Sequence, residues 1–156
     1  MFAQSHLHWG NTSVSGSEHT VNGAWYPLEM HLVHYNSKYA DIGEAVAHED
    51  GLAVIGIFFE ISSSDNVYLQ PLLEAGNKVK FAKQKTSLSQ GISLKSLLPR
   101  NPETFYRYEG SLTTPGCNEI VTWSVLRNPV TVSEAQLDSL RSLWDSDNNK
   151  MGNNYR

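Results

Sequence analysis

The sequence predicts a mainly β fold of the α+β class, in which a few short helices accompany the strands. Three observations support this class. Residues 4–9 and 28–36 alternate in side-chain character with a period of two, as half-buried strands do. Residues 51–61 form a continuous apolar run of β-branched and aromatic side chains, which is typical of a buried strand. The 156 residues contain no evident linker or repeat, which predicts a single domain, 1–156.

Three segments carry helix signals. The apolar residues of Val67–Phe81 recur near helical spacing, and a shorter helix is predicted for Ser93–Leu98, which Pro99 would end. The pattern Ser133–Gln136 matches a capping box, in which a hydroxyl and an amide satisfy the first free N–H groups of a helix. A third helix is therefore predicted to begin there and to run through Trp144.

Two more strands and two loops complete the predicted elements. Residues 104–108 and 119–126 are rich in aromatic and β-branched side chains and are predicted to be strands. Residues 11–16 and 145–154 are rich in Asn, Asp, Ser and Gly, which predicts loops.

Composition excludes several classes of function. Twelve Lys and Arg against sixteen Asp and Glu give a net charge of −4, which argues against a nucleic-acid partner. The longest apolar run, 51–59, is shorter than the roughly 20 residues that a membrane-spanning helix needs, so no membrane segment is expected in this chain. A single cysteine excludes an internal disulfide framework.

Three histidines are placed where they could share a metal ion. His6 and His8 project from one face of the first predicted strand, and His31 lies on the second. If these strands pair, three imidazoles can surround Zn²⁺ and leave a fourth position for water. The alternative is that they are surface imidazoles on strands, and the spacing alone leaves both interpretations open.

Each strand also carries a residue that could orient a ligand. Gln4 precedes His6 on its strand face, and Glu29 precedes His31 on its own. Metal-binding imidazoles generally donate their second ring N–H to an amide, carboxylate or carbonyl oxygen. The pairs therefore add support to the metal interpretation, although direct pairing at this spacing depends on the twist of the strand.

Several separated segments resemble the signature blocks of the α-class carbonic anhydrases, in the same order. These blocks are QSHLHWG at 4–10, SEHTVNG at 17–23, EMHLVH at 29–34, DGLAVIGIF at 50–58, GSLTTP at 110–115 and VTW at 121–123. The resemblance covers essentially the whole chain. It implies a twisted, mostly antiparallel central sheet with short helices at its periphery.

The resemblance also implies a set of site residues. His6, His8 and His31 would be the zinc ligands, supported by Gln4, by Glu29 and by a carbonyl at Asn154. Thr113 would accept a hydrogen bond from the zinc-bound hydroxide and donate its own to Glu18, which aims the nucleophile. An apolar pocket for carbon dioxide would consist of Val33, Val54, Leu112, Thr114, Val121 and Trp123. Each apolar residue of this set, taken singly, is by default explained as core packing, and only the matched context assigns it to the pocket.

The activity implied is zinc-dependent, reversible hydration of carbon dioxide to bicarbonate and a proton, by attack of the zinc-bound hydroxide. Sulfonamides and anions would be its inhibitors. His19 and His34 match positions that the family uses as hydrogen-bonded structural imidazoles, whereas His48 has no assigned role.

The chain departs from the family in its extent. The first ligand comes at residue 6, so the N-terminal third of the domain, with the usual proton-shuttle histidine, is expected to lie outside this chain, as is a short C-terminal piece. Cys117 matches a cysteine that extracellular members bridge to one near their N-terminus. With the glycosylation sequon Asn11-Thr12-Ser13, this favours a secreted or membrane-anchored parent over a cytoplasmic one.

Two alternatives to the enzyme stay open. The chain could be a carbonic-anhydrase-like binding module without activity, although its retention of all three histidines, Thr113 and Glu18 argues against this. Alternatively, only the longer parent is active, and the residues present cannot separate that possibility from an active chain.

Overall fold

The strands form one mixed, six-stranded sheet. The computed structural model describes residues 1–155, and the sheet has the order β1-β2-β3-β5-β4, with β6 paired to β3. The strands are β1 (Phe2–Trp9), β2 (Leu28–Tyr35), β3 (Leu52–Ser62), β4 (Phe105–Gly110), β5 (Val121–Leu126) and β6 (Val130–Ser133). The mainly β, α+β prediction is confirmed, and so is the expectation of a mostly antiparallel sheet: three of the five strand pairs, β1–β2, β2–β3 and β4–β5, are antiparallel.

Strand β3 is the centre of the sheet. It pairs with β2 on one side and, in parallel, with β5 and β6 on the other. Its apolar run lets it contribute to two apolar clusters, one containing Ile57 and Phe59 and the other containing Val54 and Phe58. Burial on both faces explains why the run is continuous rather than alternating.

The helices are short. They are α1 (Ile42–Ala45), a 3₁₀ helix (Leu94–Leu97), α2 (Gln70–Lys78) and α3 (Glu134–Arg141). None of the helices within residues 1–155 combines the length and the apolar character needed to cross a membrane.

Two helices end earlier than predicted. α2 begins only after Leu69, with a proline in its first turn, and ends where Val79 leaves helical dihedral angles at φ −130° and ψ 58°. The capping box at Ser133 is present, but α3 stops at Arg141 because Trp144 is instead held in extended bridges to Phe81 and Lys150. α1 and β6 have only four residues each, too few to show a period in the sequence.

Candidate metal centre

The register between β1 and β2 brings the three histidines together. His6 lies directly opposite His31, and His8 lies opposite Glu29 two positions further along the same face. The ring centroids of His6 and His31 are 5.1 Å apart, and those of His8 and His31 are 4.6 Å apart. The ligand atoms of the three imidazoles all fall within 4.8 Å of one another. The sheet therefore assembles the set that the sequence singled out.

Outer hydrogen bonds set the tautomers of the two histidines on β1. His6 Nδ1–H donates to Oε1 of Gln4 at 2.9 Å, and His8 Nδ1–H donates to the carbonyl oxygen of Asn154 at 3.2 Å. Since each Nδ1 carries the proton, each Nε2 is left with a free lone pair. Nε2 is therefore the nitrogen through which each of these two rings could bind a metal ion.

Glu29 sets the tautomer of the third histidine. Its side chain is 0% exposed, and its Oε1 lies 2.7 Å from His31 Nε2 and 2.6 Å from His19 Nδ1. Its Oε2 accepts from the backbone N–H groups of Glu18 and His19, both at 2.9 Å. Burial alone would raise the pKa of Glu29, but the hydrogen bonds from His19 and His31 outweigh it and hold that pKa well below its ordinary value. An ionised carboxylate only accepts, so His31 donates from Nε2 and keeps its lone pair on Nδ1.

The hydrogen-bond chain continues beyond Glu29. His19 donates to Glu29 from Nδ1, so its Nε2 accepts from the hydroxyl of Tyr108 at 2.6 Å. Burial, with Glu29 and Glu18 nearby, raises the pKa of Tyr108 to about 12, which keeps the donated proton on the phenol. His19 is half-buried and structural, as the resemblance implies.

The arrangement of lone pairs fits a cation. His6 Nε2 and His31 Nδ1 lie 3.2 Å apart, a hydrogen-bond distance between two atoms that both lack a proton. His8 Nε2 is buried and has no hydrogen-bond partner within the described part of the chain. Buried polar atoms are seldom left unpaired, so a shared positive ion is the simplest partner for all three. Three imidazole nitrogens are a donor set that suits zinc.

Burial keeps the two candidate ligands on β1, His6 and His8, neutral. It lowers the pKa of His6 from its ordinary 6.5 to about 4, and the neighbouring His31 and His8 add to that shift. The pKa of His8 is also lowered, chiefly by burial and then by His31. Near neutral pH these imidazoles are therefore unprotonated and available to a metal.

An apolar cavity of about 210 Å³ opens beside the rings of His6 and His31. Five of the six residues expected to form a substrate pocket line it, namely Val33, Val54, Leu112, Thr114 and Trp123. The sixth, Val121, is 1% exposed and packs in the apolar cluster behind the cavity. Sequence analysis missed three further lining residues, Ile42, Val46 and Leu52. Ile42 and Val46 belong to the unpredicted α1 region, whereas Leu52 stood in the predicted buried strand.

Thr113 and Glu18 each lie close to at least one of the candidate ligands. Thr113 is half-buried and lines the cavity together with His6 and His31. Glu18 Oε1 lies 3.4 Å from His8 Nδ1, and its Oε2 is buried without a partner among residues 1–155. Within those residues no hydrogen bond joins Thr113 to Glu18, so the structure places the two residues at the centre without connecting them.

The remaining residues of interest lie away from the centre. His34 is on the opposite face of β2 from His31 and donates to the carbonyl of Leu32 at 3.1 Å. His48 is exposed and stacks on Tyr39. Asn11 is exposed in the loop after β1, and Cys117 is exposed in the loop before β5.

Gly56 supports the centre from β3. It lies opposite His31, and a Cβ atom at this position would come within 3.2 Å of Glu29 Oε1. The absence of a side chain at residue 56 therefore gives the Glu29 carboxylate its space.

Comparison with known proteins agrees with these features. The family model for eukaryotic-type carbonic anhydrase matches residues 1–156. The chain is 43% identical to carbonic anhydrase 3 of Sus scrofa over 147 residues, and 43% identical to carbonic anhydrase 6 of Homo sapiens over 157. It is 42% identical to the putative carbonic anhydrase 5 of Caenorhabditis elegans over 156 residues. These alignments cover 94%, 98% and 99% of this chain but 55%, 51% and 49% of the relatives, so the chain spans about half their length.

Proposed function

The chain belongs to the eukaryotic-type carbonic anhydrase family, and from this premise we propose that it forms the zinc-binding part of an enzyme that hydrates carbon dioxide reversibly to bicarbonate and a proton. One observation carries the proposal: three imidazole lone pairs converge beside an apolar cavity. A bare metal site would not need the apolar wall, and a bare apolar pocket would not need the three histidines.

His6 and His8 would hold zinc through Nε2 and His31 through Nδ1, since these are the ring nitrogens without protons. Zinc held by three imidazoles lowers the pKa of water to about 7, a value already established for carbonic anhydrases, and so supplies hydroxide near neutral pH. Gln4, Glu29 and the Asn154 carbonyl keep the rings oriented and in the right tautomer.

The cavity would bind the substrate. Carbon dioxide is linear and uncharged, so it is held by apolar contact and not by a charged group. Val33, Val54 and Trp123 are each less than 5% exposed and keep competing water from this side of the centre. Sulfonamides and small anions are expected to inhibit by entering the same cavity.

Thr113 would aim the nucleophile, with Glu18 as its partner. The buried Oε2 of Glu18 lacks a partner among the described residues and can only accept, which suits a donated hydroxyl proton. Because the Thr113 hydroxyl donates its proton in a hydrogen bond to Glu18, its oxygen accepts a hydrogen bond from the attacking group. This fixes the orientation of that group.

The test combines zinc content with sulfonamide-sensitive hydration of carbon dioxide. We expect one zinc per chain and inhibitable activity, and we expect Thr113→Val to lower kcat/KM by about 100-fold, the scale of a misplaced reacting group. Thr131→Val is the control, because it changes an exposed threonine of β6 outside the cavity.

The outcomes separate the alternatives. Bound zinc without activity would indicate a binding module, and absence of zinc would assign the activity to a longer polypeptide only. Equal activity of the Thr113→Val variant and the wild type would contradict the role given to this hydroxyl.

We also propose that the protein is extracellular and carries a glycan on Asn11. The exposed loop position of Asn11 and the sequon Asn11-Thr12-Ser13 support this. Expressed with a secretion leader in eukaryotic cells, the wild-type chain should lose mass on endoglycosidase treatment. Asn11→Gln should abolish the shift, whereas Asn22→Gln, an exposed asparagine outside any sequon, should keep it. A wild-type chain that is secreted without any shift would refute the glycan.

A further inference from the structure

Asn154 meets the end of β1 through both its backbone and its side chain. Its backbone N–H donates to the carbonyl of Trp9 at 3.0 Å. Its side-chain Oδ1 accepts from the Trp9 N–H at 2.7 Å, and its Nδ2 donates to the carbonyl of Leu7 at 2.9 Å. One residue thus pairs three backbone groups on the outer edge of β1, which a neighbouring strand would otherwise pair.

His8, which lies between Leu7 and Trp9 in β1, is a candidate zinc ligand. His8 Nδ1 lies 3.2 Å from the Asn154 carbonyl oxygen, and a competing acceptor, Glu18 Oε1, lies 3.4 Å away. Because the two acceptors are almost equally distant, a small displacement of Asn154 relative to β1 would transfer the His8 ring from one to the other. The orientation of His8 Nε2 therefore depends on how firmly Asn154 is held.

We infer that the side-chain amide of Asn154 is a positioning group for the metal centre, an inference that rests on the zinc site proposed above. By clamping Leu7 and Trp9, the amide fixes the distance between the Asn154 carbonyl and His8. Any residue at this position supplies a carbonyl, but only asparagine supplies a donor and an acceptor at this length. Aspartate would keep the acceptor and set a carboxylate oxygen against the carbonyl of Leu7. Alanine would remove both groups.

The experiment measures zinc affinity by chelator competition for the wild type, Asn154→Ala and Asn154→Asp. Asn153→Ala is the matched control, since Asn153 is the exposed neighbour. We expect the Asn154 variants to bind zinc about 10–100-fold more weakly, the effect typical of losing a group that orients a ligand. We expect the control to match the wild type.

A second readout follows the His8 ring directly in the metal-free chain. Proton NMR should show the Nδ1–H of His8 bonded to the Asn154 carbonyl in the wild type and, in both Asn154 variants, shifted downfield because it moves to the charged Glu18 carboxylate. A residue that only stabilised the sheet would lower the melting temperature without shifting this resonance.

The outcomes decide the inference. Zinc affinity and a His8 Nδ1–H resonance indistinguishable from the wild type would overturn it. If Asn154→Ala does not fold, Asn154→Asp gives the same two measurements. Failure of both to fold would also overturn it, because a positioning group is not needed for the sheet to form. Absence of zinc binding in the wild type would refute the proposed function and this inference together, whereas normal binding by the variants refutes the inference alone.

Discussion

Zinc at a free concentration 100 times its Kd is expected to raise the unfolding free energy of the wild-type chain by about 2.7 kcal/mol, and the His6→Ala variant is expected to lose this gain. His6 is half-buried, so its truncation leaves the core intact while removing one of three ligand nitrogens. The loss of zinc affinity should exceed the roughly 10–100-fold that follows loss of an outer partner. Denaturant unfolding with and without zinc, together with metal analysis, measures both effects.

The control for this prediction is His48→Ala. His48 is exposed and stacks on Tyr39, away from the three candidate ligands. It should retain the full zinc-dependent stabilisation. Equal stabilisation of the His6→Ala variant would show that zinc binds elsewhere and would refute the three-histidine site.

The Glu29→Gln variant is expected to lose about 1.5–3 kcal/mol of unfolding free energy without metal, the usual effect of losing a hydrogen bond to a charged group in the interior. Glu29 is 0% exposed and accepts four hydrogen bonds, two from imidazoles and two from backbone N–H groups. Glutamine replaces one of its oxygens by a donor, which would face other donors. Zinc affinity should fall as well, because the tautomer of His31 is no longer fixed.

The same variant has a characteristic pH dependence. The pKa of Glu29 in the folded chain lies below its ordinary 4.5, so its stabilising contribution is complete above about pH 4.5 and is lost as the pH falls further. The difference between wild type and variant should therefore be greatest near neutral pH and shrink below pH 4.5. Urea unfolding at several pH values measures this.

Glu60→Gln is the matched control, because Glu60 is exposed on β3 and should change stability little. A loss below about 1 kcal/mol for Glu29→Gln, within the range of an ordinary hydrogen bond, would contradict the role of Glu29 as the shared acceptor of four buried hydrogen bonds.

The sequence predicted the local part of the site better than its long-range part. The alternation of side chains placed His6 and His8 on one face of a strand, and the apolar run identified β3. Both predictions were possible because each pattern is contained in a few consecutive residues. The pairing of His6 with His31 depends on the register between β1 and β2. A shift of this register by one residue would move the side chains of one strand to the other face of the sheet. The motif resemblance, not the spacing, identified this set of three.

Contacts between residues that are far apart in the sequence leave no pattern in the local sequence. Asn154 is 146 residues from His8, and its place followed from the resemblance alone. The hydrogen bonds from its side chain to Leu7 and Trp9 could not be predicted from the local sequence pattern or from the resemblance. The link from Tyr108 to His19 also depends on how β4 is placed in the sheet. Short elements were not predicted for another reason: the four residues of α1 are too few to show a helical period.

The space above Gly56 has a consequence for the evolution of the chain. A methyl group there would stand 3.2 Å from Glu29 Oε1 and 3.5 Å from a methyl of Val125, so even alanine would press on the carboxylate that holds His31. Mutational tolerance at position 56 is thus set by the carboxylate of Glu29 on the neighbouring strand. If the proposed zinc site is under selection, variants would be removed at a position that, judged by its strand alone, could accept any small apolar residue.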